Sequence, residues 1–425
     1  MDIIDFNWFK SNQEVPRLFY QPFKVWKEDI FFEKIVSTFS REWMDGVYRW
    51  DYGSESMVRV DKGIYMEHPD LFNMQLFYKQ SDMDSLCKHD KIYFSVLSMS
   101  EDKIFVTFYE IDTSTESQTE ILTYSFSQDE WTYSGMEMLT DGYFFFRMTK
   151  TDLENKVKDA LYLVNVYKNE AYEVKDDIMR MTYGPILFFE SNGRPYVLVE
   201  ESYLTEEEQE EFLSDEDLEL LVVIPEKFNK DFVHRNSILL LDFNNMISAL
   251  KKGETKFNYI VKDHIFMDGK LRFIGESKRY FYYKKAMYDF TLSKNDFISR
   301  FMIGKESVFS IDKNTFEVNL VSNESEKNIV FADDRGIYRV EENDECIDIV
   351  ELDTDDRVIS YEKSDDNEHF LEMRNDVLFT SVESENFDEY VKITDFGKTF
   401  VKTYNAEKYF ILADKIFVMN MELLN

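Results

Sequence analysis

Histidine and cysteine are the side chains that most often ligate metals or act as nucleophiles, and this chain has few of either. Its 425 residues include five histidines and two cysteines. No two histidines have the spacing of a helical metal site, and Cys87 and Cys346 belong to no CxxC motif. The sequence therefore predicts no bound metal and two free thiols. The histidines are His68, His89, His234, His264 and His369.

The linear motifs of common enzyme classes are missing from the sequence as well. It contains no GxSxG elbow, no GxGxxG fingerprint and no GxxxxGK[ST] loop. Residues 353–356 (Asp-Thr-Asp-Asp) begin like a calcium loop, but the glycine at position six and the distant glutamate are absent. We therefore expect no cofactor, and the sequence favours a non-enzymatic protein over an enzyme.

One segment is densely acidic. Residues 200–219 contain eleven Asp and Glu and no Lys or Arg. Thr205 and Glu208 form a capping-box pattern, which predicts a helix over about residues 206–212, and Ser214 with Asp217 predicts a second short helix. We expect an acidic helical insertion at residues 203–235. Its candidate partner-binding residues are Glu206, Glu207, Glu208, Glu210, Glu211, Asp215, Glu216 and Asp217.

Two interpretations of this segment remain open. It is either a solvated excursion, which is the usual role of a charge run, or a lobe that docks a basic partner. The whole chain is acidic too, with 84 Asp and Glu against 49 Lys and Arg and a formal net charge of −35. Such a charge disfavours nucleic acid and anionic membranes, because both are bound mainly through Lys and Arg.

A single stretch combines basic and aromatic residues. Lys278-Arg279 and Lys284-Lys285 flank the aromatic residues 280–283, and this interleaving could stack nucleic-acid bases. The alternative is a buried strand with solvated ends, which the overall negative charge favours. We therefore predict no nucleic-acid partner.

The compartment can be inferred from the first residues. Asp2 and Asp5 stand where a signal peptide would carry basic residues, and no run of about 18 apolar residues follows. A cytoplasmic protein is expected.

The elements that must position any site are predicted to be β-hairpins. The clearest covers residues 103–126, in which two arms rich in β-branched and aromatic residues flank a polar link at residues 112–119. Looser versions of this unit recur. They pair residues 47–50 with 56–60, 160–165 with 171–174, 280–283 with 287–290, 308–312 with 316–321, 336–340 with 346–350, and 377–382 with 390–393, and another strand covers residues 237–242.

The recurrence resembles the β-propeller superfold. Asp51, Asp112, Asn165, Asp242, Asp289, Glu342 and Glu383 mark the turns at intervals of 41 to 77 residues, which suits blades of about 40 to 50 residues plus loops. The resemblance implies an all-β propeller of about seven irregular blades with one acidic helical insertion. Six or eight blades, or a series of β-sandwiches, are the alternatives.

The expected organisation is an N-terminal arm with the first strands at residues 1–46, which could close the ring, followed by propeller-like repeats over residues 47–425. Two functions fit it. The first is a non-enzymatic interaction protein that presents blade loops and the acidic lobe to a protein or basic peptide. The alternative is an enzyme or small-ligand binder that uses the central channel, where residues from several blades would converge without a linear motif. The oligomeric state cannot be inferred from the sequence.

Overall fold

The computed structural model describes most of the chain, and the structural statements that follow concern this part. The described residues are 2–5, 17–27, 29–37, 42–51, 53–54, 56–62, 72–76, 90–99, 103–127, 132–140, 142–151, 157–181, 186–203, 235–266, 269–287, 306–324, 328–364, 366–374, 376–383, 389–397, 402–406, 408–412 and 415–419.

Twenty-eight of the described strands follow one another in groups of four, which is the arrangement of a seven-bladed β-propeller. Blade one contains β2 (Arg17–Trp26), β3 (Asp29–Ser37), β4 (Glu42–Asp51) and β5 (Ser56–Arg59). Blade two contains β6 (Phe72–Leu76), β7 (Lys91–Met99), β8 (Lys103–Asp112) and β9 (Gln118–Ser127). Blade three contains β10 (Thr132–Thr140), β11 (Tyr143–Thr151), β12 (Val157–Asn165) and β13 (Glu170–Val174).

The later blades repeat the same order. Blade four contains β14 (Ile186–Ser191), β15 (Arg194–Tyr203), β16 (Arg235–Asp242) and β17 (Ile260–Phe266). Blade five contains β18 (Gly269–Glu276), β19 (Tyr280–Met287), β20 (Glu306–Asp312) and β21 (Val318–Glu324). Blade six contains β22 (Ile329–Ala332), β23 (Ile337–Glu342), β24 (Cys346–Glu351) and β25 (Arg357–Glu362). Blade seven contains β26 (Glu368–Arg374), β27 (Val377–Glu383), β28 (Glu389–Asp395) and β29 (Lys402–Ala406).

Three further strands form a separate sheet from the two ends of the described chain. They are β1 (Asp2–Asp5), β30 (Lys408–Leu412) and β31 (Lys415–Met419), in the order β1-β31-β30. The strands β30 and β31 pair antiparallel, whereas β1 pairs with β31 in parallel, with Asp2 opposite Lys415. The first and last strands are therefore neighbours in one sheet.

Two helices are described, and both are short. They are α1 (Asp177–Met181) and α2 (Phe243–Lys252). In α2 the Asp242 side chain caps the N-terminus by accepting from the Asn245 N–H, and Gly253 ends the helix in the left-handed conformation at φ 67°. Neither described helix has the length or apolar composition needed to cross a bilayer.

The chain divides into two compact units. The first contains Met1–Val174 and Val377–Asn425, and the second contains Lys175–Asp376. In the first unit, Val106 and Phe108 of blade two pack with Phe144 and Phe146 of blade three. The alternating pattern of these strands explains the packing, because every second side chain of a strand lies on the same face.

The three-stranded sheet is also held by core packing within the first unit. Phe417 of β31 joins the core of blade one, where it packs with Phe32, and Ile416 joins Phe379 and Ile393 of blade seven. Adjacent residues of β31 thus contribute to two different cores, as expected of a strand buried on both faces.

The second unit has equivalent cores between its blades. Leu240 of blade four packs with Phe281 and Tyr283 of blade five, and Tyr282 packs with Ile337 of blade six. Successive residues of β19 therefore point to opposite neighbours, and all three of these aromatic side chains are at most 2% exposed.

One turn recurs where the third strand of a blade returns as the fourth. Four such turns begin at Asp112, Asn165, Asp312 and Glu351 and place their fifth residue in the left-handed region, at φ values of 52° to 61°. These left-handed residues are Glu116, Asn169, Phe316 and Asp355. Carboxylate oxygens stabilise two of these turns by hydrogen bonds to the backbone. Asp112 accepts from the N–H groups of Ser114 and Thr115. Asp312 accepts in the same way from those of Asn314 and Thr315.

The predicted all-β propeller is confirmed, and most predicted hairpins are present. The hairpin at residues 103–126 corresponds to β8 and β9, which pair antiparallel. The predicted turn between residues 283 and 287 is wrong, because β19 runs without a break from Tyr280 to Met287. Its two lysines lie within the strand, where Lys284 forms an ion pair with Glu306 of β20 and Lys285 is buried.

The uneven spacing of the predicted turns has a structural reason. Asp112, Asn165 and Asp312 end third strands, at the turn to the fourth, whereas Glu342 ends the second strand of blade six, at the turn to the third. The hairpins at Asp312 and Glu342 therefore belong to different blades, which explains their short separation of 30 residues. Asp289 lies outside the described residues.

Candidate functional site

The eight acidic residues predicted to bind a partner all lie outside the described residues. They belong to the connection between β15, which ends at Tyr203, and β16, which begins at Arg235. The start of the acidic run is part of the sheet, since Glu200 lies in β15 opposite Ile238 and is only 8% exposed. A lobe that contacts a partner would therefore have to begin after Glu200.

A second acidic segment is fully described and lies in the same unit. Residues 328–364, which contain blade six, include twelve Asp and Glu against four Lys and Arg. The density is greatest from the end of β23 to the start of β24, at Glu341, Glu342, Asp344 and Glu345, all of which are exposed. We call residues 341–345 the acidic turn. Glu342 was predicted only to mark a turn, although four acidic residues within five positions are a visible signal in the sequence.

The backbone of the acidic turn is held by Asn343. Its Oδ1 accepts hydrogen bonds from the N–H groups of Glu345 and Cys346, both at 2.8 Å. The Asn343 N–H donates to the Cys346 carbonyl at 3.0 Å and closes the turn. Because asparagine satisfies the backbone, the acidic side chains around it do not have to.

Among the acidic residues of the turn, Glu342 is the one whose side chain holds other parts of the fold in place. It accepts from the Lys363 Nζ at 2.8 Å, lies 2.9 Å from the His369 Nδ1 and also accepts from the Phe370 N–H. Burial by itself would raise the pKa of Glu342, but the hydrogen bonds to Lys363 and His369 outweigh it and lower that pKa. Glu342 is therefore a poor candidate for contacting a partner.

The other carboxylates in the acidic turn, and Asp348 beside it in β24, differ in whether an ion pair neutralises them. Arg339 donates to Glu341 at 2.7 Å, and Arg357 lies 3.3 Å from Asp348. Asp344 and Glu345 have no ion pair in the described part of the chain. These two charges can therefore interact with a partner without giving up an existing contact.

A cavity of about 410 Å³ adjoins the acidic turn. It is lined by Asn328, Ile329, Val340, Glu341, Glu342, Asn343 and Asp348. Ile329 is 47% exposed, so an apolar side chain borders a rim of carboxylates. This combination suits a Lys or Arg side chain, whose methylene stem packs on apolar surface while its charged end pairs with carboxylates.

The acidic turn and the predicted acidic insertion occupy equivalent places in their blades. The turn joins the second and third strands of blade six, and the insertion joins the second and third strands of blade four. Equivalent connections of a propeller emerge from the same side of its blades. In the sequence, two of the connections between second and third strands of the second unit thus hold dense groups of carboxylates.

Other predicted sites can be assigned from their burial. The aromatic residues Phe281, Tyr282 and Tyr283 are buried between blades, so they offer no stacking platform to a nucleic-acid base.

Residues 353–356, which begin like a calcium loop in the sequence, form the turn between β24 and β25. Among the described side chains, no group of three or more His, Cys, Asp and Glu is placed to hold a metal ion. Cys346 is a free thiol, and Cys87 lies outside the described residues.

Comparison with known proteins gives structural matches only. No family model matches the chain, and no curated protein matches it. Prolyl oligopeptidase B from Galerina marginata is similar with a TM-score of 0.46 and 9% identity, over 88% of this chain and 48% of that protein. A puromycin-hydrolyzing peptidase of Mycobacterium tuberculosis has a TM-score of 0.43 and 8% identity, over 96% and 57%. The chain thus spans about half the length of these two peptidases.

A third match is to a protein of similar length. The β-propeller domain of the Trilobed protease from Pyrococcus furiosus has a TM-score of 0.42 and 8% identity, over 91% of this chain and 97% of that domain.

Proposed function

We propose that this protein is a non-enzymatic binding protein that presents an acidic surface to a basic protein or peptide. The observation that supports it most directly is the acidic turn, where Asp344 and Glu345 form no ion pair in the described part of the chain and the adjoining residues 341–343 line a cavity that exposed Ile329 borders. The acidic insertion between β15 and β16 contributes to the same surface. We also propose a cytoplasmic location, where the Cys346 thiol would stay reduced.

Charge supports this proposal over an anionic partner. A net charge of −35 attracts cationic molecules from a distance, and the carboxylates of the acidic turn then supply charge-assisted hydrogen bonds at short range. A ligand side chain with an aliphatic stem would also cover Ile329. The hydrogen bonds to the carboxylates and the packing on Ile329 both require lysine or arginine on the partner.

The proposal is tested by removing charges that hold no part of the fold. The double variant Asp344→Asn, Glu345→Gln keeps Asn343 and its hydrogen bonds intact, so its melting temperature should equal that of the wild type. Association with a lysine- and arginine-rich peptide, selected from a peptide array and followed by stopped-flow anisotropy at low salt, should slow roughly three- to tenfold. A variant with Gln at positions 206, 207, 210 and 211 should slow it further.

A matched control removes two charges from the other end of the same blade. Asp334→Asn, Asp356→Asn changes the turns between β22 and β23 and between β24 and β25, and neither side chain forms an ion pair in the described part of the chain. This control should bind the peptide at the wild-type rate. Equal slowing in both double variants would mean that only the overall charge matters, and wild-type rates in the first double variant and in the four-Gln variant would contradict the proposed surface.

A further inference from the structure

A different cavity lies in the first unit, between the turns of two neighbouring blades. It has a volume of about 440 Å³ and is lined by Trp26, Lys27, Asp29, Arg49, Thr113, Ser114, Thr115 and Glu116. The first three residues form the β2–β3 hairpin, Arg49 lies on β4, and the last four belong to the recurring turn between β8 and β9. We call this space the turn cavity.

Arg49 joins the two walls of the turn cavity. Its Nε donates to the Glu116 Oε1 at 2.6 Å across the blade boundary, and its Nη1 lies 3.5 Å from the Asp29 Oδ1. The hydrogen bond to Glu116 raises the pKa of Arg49 despite partial burial. Glu116 is the left-handed residue of the recurring turn, at φ 53°. The guanidinium is thus fixed by carboxylates on two sides.

Several polar groups of the turn cavity have hydrogen-bonding capacity left over. Within the described part of the chain, the Arg49 Nη2, the Lys27 Nζ and the Ser114 Oγ form no hydrogen bond with protein atoms. The Asp29 and Glu116 carboxylates each accept a single bond, from Arg49, although a carboxylate can accept several. Both donors and acceptors that line the cavity are therefore available to a ligand.

The charges that line the cavity cancel. Lys27 and Arg49 balance Asp29 and Glu116 within a chain whose net charge is −35. An anionic ligand would be repelled by the whole chain and would compete with Glu116 for Arg49. A cationic ligand would meet Lys27 and Arg49 directly. A neutral ligand with many hydroxyl groups avoids both penalties, because each hydroxyl can both donate and accept.

We propose that the turn cavity binds a neutral carbohydrate of one or two sugar units. The planar Arg49, Asp29 and Glu116 groups would bond adjacent hydroxyls, Ser114 and Lys27 would donate to further oxygens, and the Trp26 indole would supply apolar surface. A volume of about 440 Å³ falls within the ordinary range for small-ligand sites. This site is separate from the acidic surface and takes a different class of ligand.

The test uses calorimetric titration of the full chain with glucose, galactose, mannose, N-acetylglucosamine, sodium galacturonate and inorganic phosphate. We expect saturable binding of at least one of the four neutral sugars. Arg49→Met should weaken it roughly tenfold or more, since a hydrogen bond to a charged group is lost. The indole Nε1–H of Trp26 is buried without a partner in the described residues, so Trp26→Phe breaks no protein hydrogen bond and should also weaken binding.

Arg49→Met could disturb the fold, so a milder variant is included. Ser114→Ala removes one exposed hydroxyl that holds no protein group, and it should weaken sugar binding roughly threefold while melting is unchanged. Its control is Asn314→Ala, at the equivalent position of the turn in blade five, which should leave binding unaltered. Failure of all four neutral sugars to saturate, binding of galacturonate or phosphate alone, or sugar binding that survives Ser114→Ala and Trp26→Phe would each overturn the proposal.

Discussion

At the scale of single residues, Asp112 shows how a charged side chain can form both a turn and an ion pair. One of its oxygens accepts from the Ser114 and Thr115 N–H groups, and the other accepts from the Lys91 Nζ at 2.9 Å. The hydrogen bond from Lys91 is the main reason that the pKa of Asp112 falls to about 2. The folded state therefore favours the ionised carboxylate.

The lowered pKa predicts a dependence of stability on pH. A carboxyl group whose pKa is lower in the folded state contributes stability above its unfolded value, here 3.8, and loses it as the pH falls towards 2. Asp112→Asn keeps an oxygen for the backbone but removes the charge, so it should cost about 1 kcal/mol at neutral pH. Urea unfolding should show that gap narrowing below about pH 4. A gap that stays constant with pH would contradict the ion pair as its cause.

At the scale of elements, Asp176 connects helix α1 to residues 257–259, which directly precede strand β17. It precedes α1 and accepts from the Met179 N–H, while it also accepts from the Phe257 N–H at 2.8 Å and the Tyr259 hydroxyl at 2.7 Å. The side chain is 3% exposed. Its removal would leave buried donors without an acceptor.

Asp176→Ala should therefore cost about 2 to 4 kcal/mol, because each unsatisfied buried donor costs about 1 to 3 kcal/mol. Asp242→Ala is the comparison, since Asp242 also caps a helix but accepts one bond there, from the Asn245 N–H. Its cost should be about 1 kcal/mol. Urea unfolding of both variants measures the difference, and equal losses would show that the long-range bonds of Asp176 add nothing to its capping role.

Elements differed in how well the sequence predicted them. The turn at Asp112 could be predicted because its geometry depends on nearby residues, an aspartate followed by Ser and Thr. The strand β19 was divided wrongly, since the pairing of Lys284 with Glu306 of the next strand cannot be inferred from local pattern. The helix α2 was missed although Asp242, Met246, Leu250 and Gly253 have the spacing of a capped amphipathic helix.

The candidate acidic surface was predicted only in part, because part of it depends on contacts between strands. The run at residues 200–219 is conspicuous in the sequence, whereas the acidic turn acquires its cavity from Ile329, which lies on another strand. The turn cavity could not be predicted at all, because Arg49 and Glu116 are 67 residues apart and meet only when two blades pack.

At the scale of the whole molecule, like charges should limit stability. With a net charge of −35, the folded chain repels itself more than the expanded chain does, and salt screens this repulsion. The melting temperature should rise by about 2 °C or more between low salt and about 0.15 M sodium chloride, and then level off as the Debye length falls below about 8 Å. A steady fall over the same range would show that ion pairs such as Arg49–Glu116 matter more than net repulsion.

The parallel pairing of β1 with β31 has a consequence for synthesis on the ribosome. Residues 2–5 find their partner strand only after roughly 410 more residues have been made, which at about 5 to 20 residues per second takes roughly 20 to 80 seconds. During that time the blades can form in order of emergence, because each needs mainly local contacts. Strand β1 is thus incorporated only after the strands of all seven blades have been made, and until then its open edge is exposed to chaperones and to other nascent chains.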